Sequence, residues 1–308
     1  MIGNLTLAHK TVLAPMASLT DIVFRRIVDE IGGIGLMVTE LISAEGLRRK
    51  QRRTLEMVRT FEFKTPQFIQ LFGSEPDPFV ESAKFIENET NYCGIDINMG
   101  CPARKVVKKG AGAALLANPI KIAKLCRAVK KTVSLPLSVK VRLGFEEENL
   151  YEILDVLVSE GVDAVTIHFR MRSENYGTPA RWEFGENLKE KFKLVFIGNG
   201  DIKSKSEAVE KLNIVDGIMI GRAAIGNPFI FSEISDCIPS ISDRKEVTDR
   251  VLELVEEYYP PEYRLLRVKA FTKYLVMGRP HVKKIRYKIY SSKTFNEVKR
   301  FFRELDFY

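Results

Sequence analysis

The chain has 308 residues, of which 45% are hydrophobic and 29% are charged, so it has enough apolar sequence for a large buried core and belongs to the globular class. No apolar run approaches the roughly 18 residues of a membrane span, and the first residues lack the basic and apolar regions of a signal peptide. We therefore expect a cytoplasmic protein with no membrane association.

The net charge of +8 is concentrated near the C-terminus. Residues 263–308 contain 13 Lys and Arg against three acidic residues, a net charge of +10, whereas the remaining 262 residues have a net charge of −2. A neutral body with a basic tail indicates a polyanionic partner, and we expect nucleic acid. The alternative, a solvated helix face, usually mixes both signs of charge.

Four cysteines and three histidines are present. Cys93, Cys101, Cys126 and Cys237 form no CxxC pair, so the sequence predicts neither a zinc site nor a disulfide framework. We expect no metal, and no obligatory protein partner is evident.

Eight short apolar runs predict β-strands in the first 235 residues: Thr11–Ala14, Leu36–Thr39, Gln67–Leu71, Gly94–Ile97, Leu137–Val141, Ala164–His168, Leu194–Ile197 and Gly217–Ile220. Amphipathic stretches between them predict helices, among them Asp21–Ile31, Pro78–Asn88, Ile120–Lys131, Tyr151–Ser159 and Lys205–Leu212. This alternation predicts an α/β fold, a (β/α)8 TIM barrel over residues 1–235. The alternative, an open doubly wound sheet, lacks its glycine-rich turn after the first strand.

The strand pattern ends after Pro228, and Ser235–Asp243 is typical of a linker. Beyond it, helices are predicted near Val247–Tyr258, Glu262–Met277 and Thr294–Leu305. We expect residues 244–308 to form a smaller, basic, all-helical domain that binds nucleic acid.

The run Asn98-Met99-Gly100-Cys101-Pro102 places one thiol just beyond the fourth predicted strand. Ligands of parallel α/β folds bind at the carboxyl ends of the strands, so Cys101 is a candidate for chemistry. The alternative is a small buried hydrophobic residue, which is the commoner fate of a cysteine.

Polar groups also follow the other predicted strands, and in a barrel they converge on one rim. They include Glu40, Gln70, Lys140, Arg142, His168, Arg170, Asn199, Asp201 and Arg222. The last two strands end in Gly198-Asn199-Gly200-Asp201 and Gly221-Arg222, a pattern typical of a barrel phosphate site that Arg222 completes. With Gln70, Lys140 and His168 placed to hydrogen-bond a planar heteroaromatic ring, the pattern predicts FMN, which carries a single phosphate.

The chain resembles the tRNA-dihydrouridine synthases, and the resemblance covers the whole barrel. It is carried by Leu13-Ala14-Pro15-Met16, Thr39-Glu40, Ser43-Ala44-Glu45-Gly46-Leu47, Gln70-Leu71-Phe72-Gly73, Asp96-Ile97-Asn98-Met99-Gly100-Cys101-Pro102-Ala103, Lys108-Lys109-Gly110-Ala111-Gly112, Val139-Lys140-Val141-Arg142, Ile197-Gly198-Asn199-Gly200-Asp201-Ile202 and Gly217-Ile218-Met219-Ile220-Gly221-Arg222-Ala223.

The resemblance implies reduction of a uridine in the tRNA D-loop by FMN, which NADPH or NADH reduces. It implies that Cys101 is the general acid that protonates C5 of uracil while the flavin delivers hydride to C6; a thiol with an ordinary pKa keeps its proton at neutral pH. FMN contacts are implied for Pro15, Met16, Ala17, Gln70, Lys140, His168, Asn199, Gly200, Asp201, Gly221 and Arg222. For the substrate, we expect Asn98 to hold the base, and contacts from Arg142, Arg170, Arg172, Arg279 and Arg286.

Two loops depart from the family pattern. His168-Phe169-Arg170-Met171-Arg172 stands where the family usually has His-Gly-Arg-Thr-Arg, and Ser18 stands where glycine is common. Arg170 and Arg172 keep the charge of the first loop, and we expect them to meet RNA phosphate.

Two other functions are compatible with parts of the chain. A flavin barrel acting on a free pyrimidine, like dihydroorotate dehydrogenase, explains the strand-end residues but not the basic tail. A non-catalytic RNA-binding protein explains the tail but leaves Cys101 and the phosphate loops without a role.

Overall fold

The computed structural model describes residues 1–59, 61–241, 243–276 and 281–304. Eight parallel strands form a closed barrel in sequence order, with the first strand paired to the last. They are β1 (Thr11–Leu13), β2 (Leu36–Ser43), β3 (Gln67–Phe72), β4 (Gly94–Met99), β5 (Leu137–Arg142), β6 (Ala164–His168), β7 (Val195–Asn199) and β8 (Gly217–Ile220). The predicted TIM barrel is confirmed, and the strand bounds differ from the prediction by four residues at most.

The described helices are α1 (Ile22–Ile31), α2 (Ala44–Arg48), α3 (Arg52–Met57), α4 (Pro76–Glu89), α5 (Arg104–Val107), α6 (Pro119–Lys130), α7 (Leu150–Ser159), α8 (Leu188–Lys191), α9 (Lys205–Leu212), α10 (Arg222–Gly226), α11 (Ile230–Ser235), α12 (Arg244–Tyr258), α13 (Pro261–Ala270), α14 (Thr272–Val276), α15 (Val282–Ser291) and α16 (Phe295–Glu304). Two 3-10 helices add Gly112–Ala117 and Trp182–Gly185.

Side chains along each strand point alternately into the barrel and toward the surrounding helices. Inward residues such as Val12, Phe68 and Met219 fill the barrel, while a larger cluster packs the outer faces of the strands against the helices. Gly94 is required beside Phe68, since a Cβ there would lie 2.3 Å from the phenyl ring. The barrel interior is therefore a packed core, and the loops at the strand ends are left for function.

The helices after β8 depart from the predicted pattern. The predicted helix Glu262–Met277 is two helices, α13 and α14, with Phe271 between them; Met277 lies outside the described residues. Helices α15 and α11 were not predicted, and α11 ends at Ser235, the first residue of the predicted linker. The predicted helix Thr294–Leu305 corresponds to α16, except that Leu305 lies outside the described residues.

Contacts between α12 and α1 join these C-terminal helices to the barrel. Arg250 donates from Nε and from one terminal nitrogen to the two carboxylate oxygens of Glu30, each at 2.8 Å. Tyr259 donates its hydroxyl to Asp21 at 2.6 Å, and Asp21 also caps α1 by accepting from the Val23 and Phe24 amides. The same carboxylate therefore begins α1 and holds the end of α12.

Within the described ranges, no helix is long and apolar enough to cross a membrane. The same part of the chain holds no group of three or more His, Cys, Asp or Glu side chains placed to bind a metal ion.

Candidate active site at the carboxyl ends of the strands

A chain of amide hydrogen bonds links β3, β4 and the loop that carries the thiol. Asn98 Nδ2 donates to Gln70 Oε1 at 2.9 Å, and Asn98 Oδ1 accepts from the Cys101 amide at 3.0 Å. Both amide side chains are buried, whereas Cys101 is partly exposed. Asn98 therefore positions the Cys101 backbone, in addition to any contact with a substrate.

Gln70 is itself oriented from below by a buried carboxyl group. Its Nε2 donates to Asp96 Oδ2 at 2.6 Å, and Ser138 Oγ donates to Asp96 Oδ1 at 2.5 Å. Burial raises the pKa of Asp96, and these hydrogen bonds oppose that rise. Because Nε2 is engaged below, the Gln70 side chain is fixed in one orientation at the site.

The loop after β4 folds back onto Cys101. The Ala113 amide donates to the Cys101 carbonyl at 3.0 Å. Gly112 has φ of +60°, and a Cβ there would lie 2.7 Å from the Cys101 carbonyl oxygen. Only glycine fits this approach, so the Gly-Ala-Gly part of the motif sets the path of the backbone around the thiol.

Lys140 lies on β5, and its partly buried ammonium group reaches β7. Nζ donates to Asn199 Oδ1 at 3.0 Å, and Asn199 Nδ2 donates to the Met219 carbonyl at 2.8 Å, which ties β5, β7 and β8 together. Burial first, and then the neighbouring Arg142 charge, lower the pKa of Lys140 to about 8. An anionic ligand would relieve the cost of this buried cation.

His168 is held as a neutral acceptor. Burial and then the Lys140 charge, together with further cations, lower its pKa far below the ordinary value. An Arg170 terminal nitrogen lies 3.0 Å from His168 Nε2, and because Arg can only donate, Nε2 accepts and the proton belongs on Nδ1. The imidazole therefore presents an N–H group to its surroundings.

Arg170 has a different environment from the one expected of an RNA contact. The side chain is 1% exposed, and its guanidinium donates to the Thr178 carbonyl at 2.6 Å and to Asp201 at 2.5 Å. These partners and the His168 ring surround it, so phosphate of a bound RNA has no path to it in this arrangement. The prediction that Arg170 meets RNA phosphate is not supported by its position.

Asp201 gathers the loops after β6, β7 and β8. Besides Arg170, its carboxylate accepts from the Ala180 amide at 2.9 Å and from Arg222 at 3.1 Å. Partial burial alone would raise the pKa of Asp201, but the hydrogen bonds from Arg170 and Ala180 and the charges of the two arginines hold it below the ordinary value. The carboxylate therefore stays ionised and fixes Arg222 near the rim.

Tyr176 covers Arg222 from the loop after β6. The Arg222 guanidinium carbon lies 4.1 Å from the centre of the exposed Tyr176 ring, which also stacks on His168 at 6.1 Å. Sequence reasoning missed Tyr176, and no local pattern marks it because it lies in an irregular loop eight residues past the strand.

Gly200 shapes the turn between Asn199 and Asp201. Its φ is +137°, its carbonyl accepts from Trp182 Nε1 at 3.0 Å, and a Cβ would lie 2.6 Å from that of Ala180. We expect Gly200→Ala to lower the free energy of unfolding by about 1–3 kcal/mol and to reduce cofactor retention, because the turn carrying Asp201 must move. Thermal unfolding and the bound chromophore of the purified protein measure both effects.

Gly161→Ala is the matched control for that substitution. Gly161 also has positive φ, +70°, but a Cβ there meets nothing within 4 Å, and the residue lies before β6 at the other end of the strand. The control should lose about 1 kcal/mol of stability and keep its cofactor. Equal cofactor loss in both variants would show that the effect is global destabilisation.

The loop after β1 lies against the loop after β8. A Cβ on Gly221 would lie 3.2 Å from Met16 Sδ and 3.3 Å from the Ala14 methyl, so glycine allows the two loops to approach. Pro15 and Met16 are partly buried, and Ala17 is exposed. These three residues lie together at the rim, and their contact with a ligand stays a prediction.

Ser18 has φ of +62°, which lies in the left-handed region that favours glycine. Its amide donates to Glu40, whose pKa is raised by burial and by the nearby Asp21 carboxylate. Glu40, in the middle of β2, therefore braces the loop after β1.

The remaining predicted substrate residues are scattered. Arg142 is buried and donates to the Gly100 carbonyl at 2.9 Å and to the Met171 carbonyl at 2.7 Å, so it ties the thiol loop to the loop after β6. Arg172 is partly exposed, with its guanidinium carbon 4.8 Å from the centre of the Phe145 ring. Arg286 is exposed on α15. Arg279 lies outside the described residues.

Sequence reasoning also missed the supporting carboxyl group of Asp96. The signal was present, because Asp96 and Asn98 alternate with Ile95 and Ile97 and so share one face of β4. A polar row on one face of an otherwise apolar barrel strand indicates a site that continues below the rim.

The residues fit FMN as an anionic, planar ligand. Lys140 and Arg222 supply positive charge, His168 and Gln70 supply neutral polar groups, and Gly221 leaves room beside Met16. Lys140 and Arg222 are the cations at this rim that would offset the negative charge of a phosphate-bearing group.

The fold and the site define this chain as a TIM-barrel enzyme. Its sequence matches the family model described as "Dihydrouridine synthase (Dus)" over residues 12–306. The chain therefore belongs to the dihydrouridine synthase family and is an oxidoreductase, which confirms the resemblance.

Related proteins cover most of the chain. "Probable tRNA-dihydrouridine synthase" of Rickettsia prowazekii is 35% identical over 271 residues, which cover 84% of this chain and 82% of that protein. "tRNA-dihydrouridine synthase B" of Klebsiella pneumoniae is 38% identical over 238 residues, 76% of this chain and 73% of that protein. Among solved structures, morphinone reductase is similar in fold, with a TM-score of 0.53, 12% identity, and coverage of 80% of this chain and 91% of that chain.

Proposed function

We propose that this protein is an FMN-dependent tRNA-dihydrouridine synthase that reduces the C5–C6 double bond of a D-loop uridine in tRNA. NADPH or NADH is the reductant, Cys101 is the proton donor, and the cytoplasm, where tRNA is found, is the location. The observation that carries the proposal is the convergence of a partly exposed thiol and a cluster of cations at one barrel rim, in a chain whose relatives are named tRNA-dihydrouridine synthases.

A bound FMN would supply hydride chemistry between the nicotinamide and C6 of uracil. The groups that would hold it are Pro15, Met16, Ala17, Gln70, Lys140, His168, Asn199, Gly200, Asp201, Gly221 and Arg222. Lys140 is the cation that favours negative charge on a bound ring, and Arg222 with the glycine turns favours phosphate. Arg170 acts as a positioning residue, since it fixes His168 and Asp201.

Cys101 holds the proton that uracil needs. Addition of hydride at C6 places negative charge at C5 and O4, and the Sγ–H group donates its proton to C5, leaving a thiolate that solvent reprotonates. Asn98 positions the Cys101 amide and offers its remaining polar capacity to the base. Arg142 holds the thiol loop through the Gly100 carbonyl.

Residues 244–308 are proposed to bind the tRNA body, and residues 1–235 to form the catalytic barrel. Exposed cations on α15, including Arg286 and Lys284, and Arg172 on the barrel would contact phosphates. The uridine is buried in folded RNA and must be extruded before it reaches the rim, which explains the need for a large basic surface.

The test is conversion of unmodified tRNA transcript by the purified protein with NADPH or NADH, with dihydrouridine measured by mass. A gain of two hydrogens on a D-loop uridine is the expected result. Reduction of a free pyrimidine without any change in tRNA would instead favour a dihydroorotate dehydrogenase-like reaction. Retention of no flavin and formation of no product would refute the proposal.

A further inference from the structure

Four exposed cations follow the thiol along the chain. Arg104, Lys105, Lys108 and Lys109 all lie on the surface, and the segment from Cys101 to Asn118 contains no Asp or Glu. Among the described residues, none of the four forms an ion pair. Glu75, which follows Ser74, the residue that a Cβ on Gly110 would meet at 3.7 Å, pairs with Lys121 at 2.8 Å. We refer to these four side chains as the thiol-loop cations.

A second basic run on the same barrel, residues 48–53, is partly neutralised by carboxylates of its own helices. Arg48 and Arg49 on and after α2 pair with Glu45, and Arg52 pairs with Glu56. Mixed signs of this kind are ordinary on protein surfaces, whereas unpaired like charges repel one another until a counter-charge arrives. The thiol-loop cations are therefore a surface that an anionic partner would stabilise.

The segment that carries these cations is connected to the backbone of Cys101 by hydrogen bonds. The Ala111 amide bonds to the Val106 carbonyl, and the Ala113 amide bonds to that of Cys101. At Gly112, a Cβ would lie 2.8 Å from a Val106 methyl and 3.2 Å from Cys101 Cβ. A group bound by α5 and the two lysines after it is thus attached to a loop that is hydrogen-bonded to the backbone of Cys101.

We propose that the thiol-loop cations bind the phosphates of the RNA strand that carries the target uridine, and that this contact holds Cys101 in place against the extruded base. The inference rests on the proposed function. It assigns the barrel its own RNA surface, separate from the C-terminal helices, and the backbone phosphates are the part of any RNA that exposed Lys and Arg contact without regard to sequence.

The averaged charge of the barrel hides this surface. Residues outside 263–308 have a net charge of −2, yet six of them, 104–109, carry four cations. Since α5 follows β4 at the carboxyl rim, the local excess lies where the substrate strand must enter. Two anchors from distant parts of the chain would restrict the pivoting that a single anchor allows.

The test compares the double variant Lys108→Glu/Lys109→Glu with Lys131→Glu/Lys193→Glu. Lys131 and Lys193 are exposed and precede β5 and β7, at the opposite end of the barrel, so both variants change the net charge equally. Binding of tRNA is measured without reductant over a range of salt, and dihydrouridine formation is measured with NADPH.

We expect the thiol-loop variant to bind tRNA about 10- to 100-fold more weakly than the control. Its plot of log affinity against log salt should be shallower by about two in slope. Flavin content and flavin reduction by NADPH should match the wild type, which shows that the barrel is intact. Equal binding by the two variants, or no binding of tRNA by the wild type, would overturn the inference. If the thiol-loop variant loses tRNA binding as expected but the wild type forms no dihydrouridine, the proposed function is refuted and the RNA surface stands.

Discussion

Cys101→Ala should lower the rate of dihydrouridine formation by about 10²- to 10⁴-fold, the range typical of removing a general acid. The Cys101 amide bonded to Asn98, and the Cys101 carbonyl bonded to Ala113, belong to the backbone and survive the substitution. We therefore expect flavin content, tRNA affinity and flavin reduction by NADPH to remain near those of the wild type. Single-turnover oxidation of the reduced enzyme by tRNA isolates the step that should fail.

Cys93→Ala is the matched control. Cys93 and Cys101 are both partly exposed, but Cys93 precedes β4 and Cys101 follows it, so the two thiols lie at opposite ends of one strand. The control should turn over normally. A Cys101→Ala enzyme that still reduces tRNA at the wild-type rate would show that another group donates the proton, while loss of flavin in that variant alone would give Cys101 a structural role.

The barrel was predictable because its signals are local. Each strand is a short apolar run, and an amphipathic helix or a loop with turn residues separates it from the next, so pattern and fold agree at every step. The helices after β8 were harder to predict. Helix α15 carries β-branched and aromatic residues among its lysines, which obscures its helical pattern. No glycine or proline marks the break between α13 and α14 at Phe271.

Site residues were predictable by position but not by role. The carboxyl ends of the strands brought Gln70, Asn98 and Lys140 to one rim, as parallel topology requires. Whether an arginine faces solvent or the interior depends on partners distant in sequence. Arg170 is buried because Asp201, 31 residues further on, accepts from it, and nothing adjacent to Arg170 encodes that.

Lys140→Met should have opposite effects on stability and on ligand binding. Without a ligand, the wild type bears the cost of a partly buried ammonium group near Arg142, so we expect the flavin-free variant to gain about 1–2 kcal/mol in free energy of unfolding at pH 7, a figure reduced for solvent screening. The same change removes the cation that favours a bound anion, so FMN affinity and dihydrouridine formation should fall by at least tenfold. Chemical unfolding of the flavin-free proteins and FMN titration by fluorescence quenching measure the two effects.

The pH dependence separates charge from shape at this position. The pKa of Lys140 is about 8 when folded, below the ordinary 10.5, so between these values the unfolded chain binds more protons and the stability of the flavin-free wild type should rise with pH. Over the same window the amine becomes neutral, and FMN affinity should fall as pH rises through about 8. Lys140→Arg keeps its charge at every accessible pH, so its FMN affinity should lack that inflection. An inflection of equal size in both proteins would assign the titration to another group and argue against Lys140 as a cofactor contact. An inflection that is missing only from the arginine variant would identify the ammonium group of Lys140 as the charge that the cofactor requires.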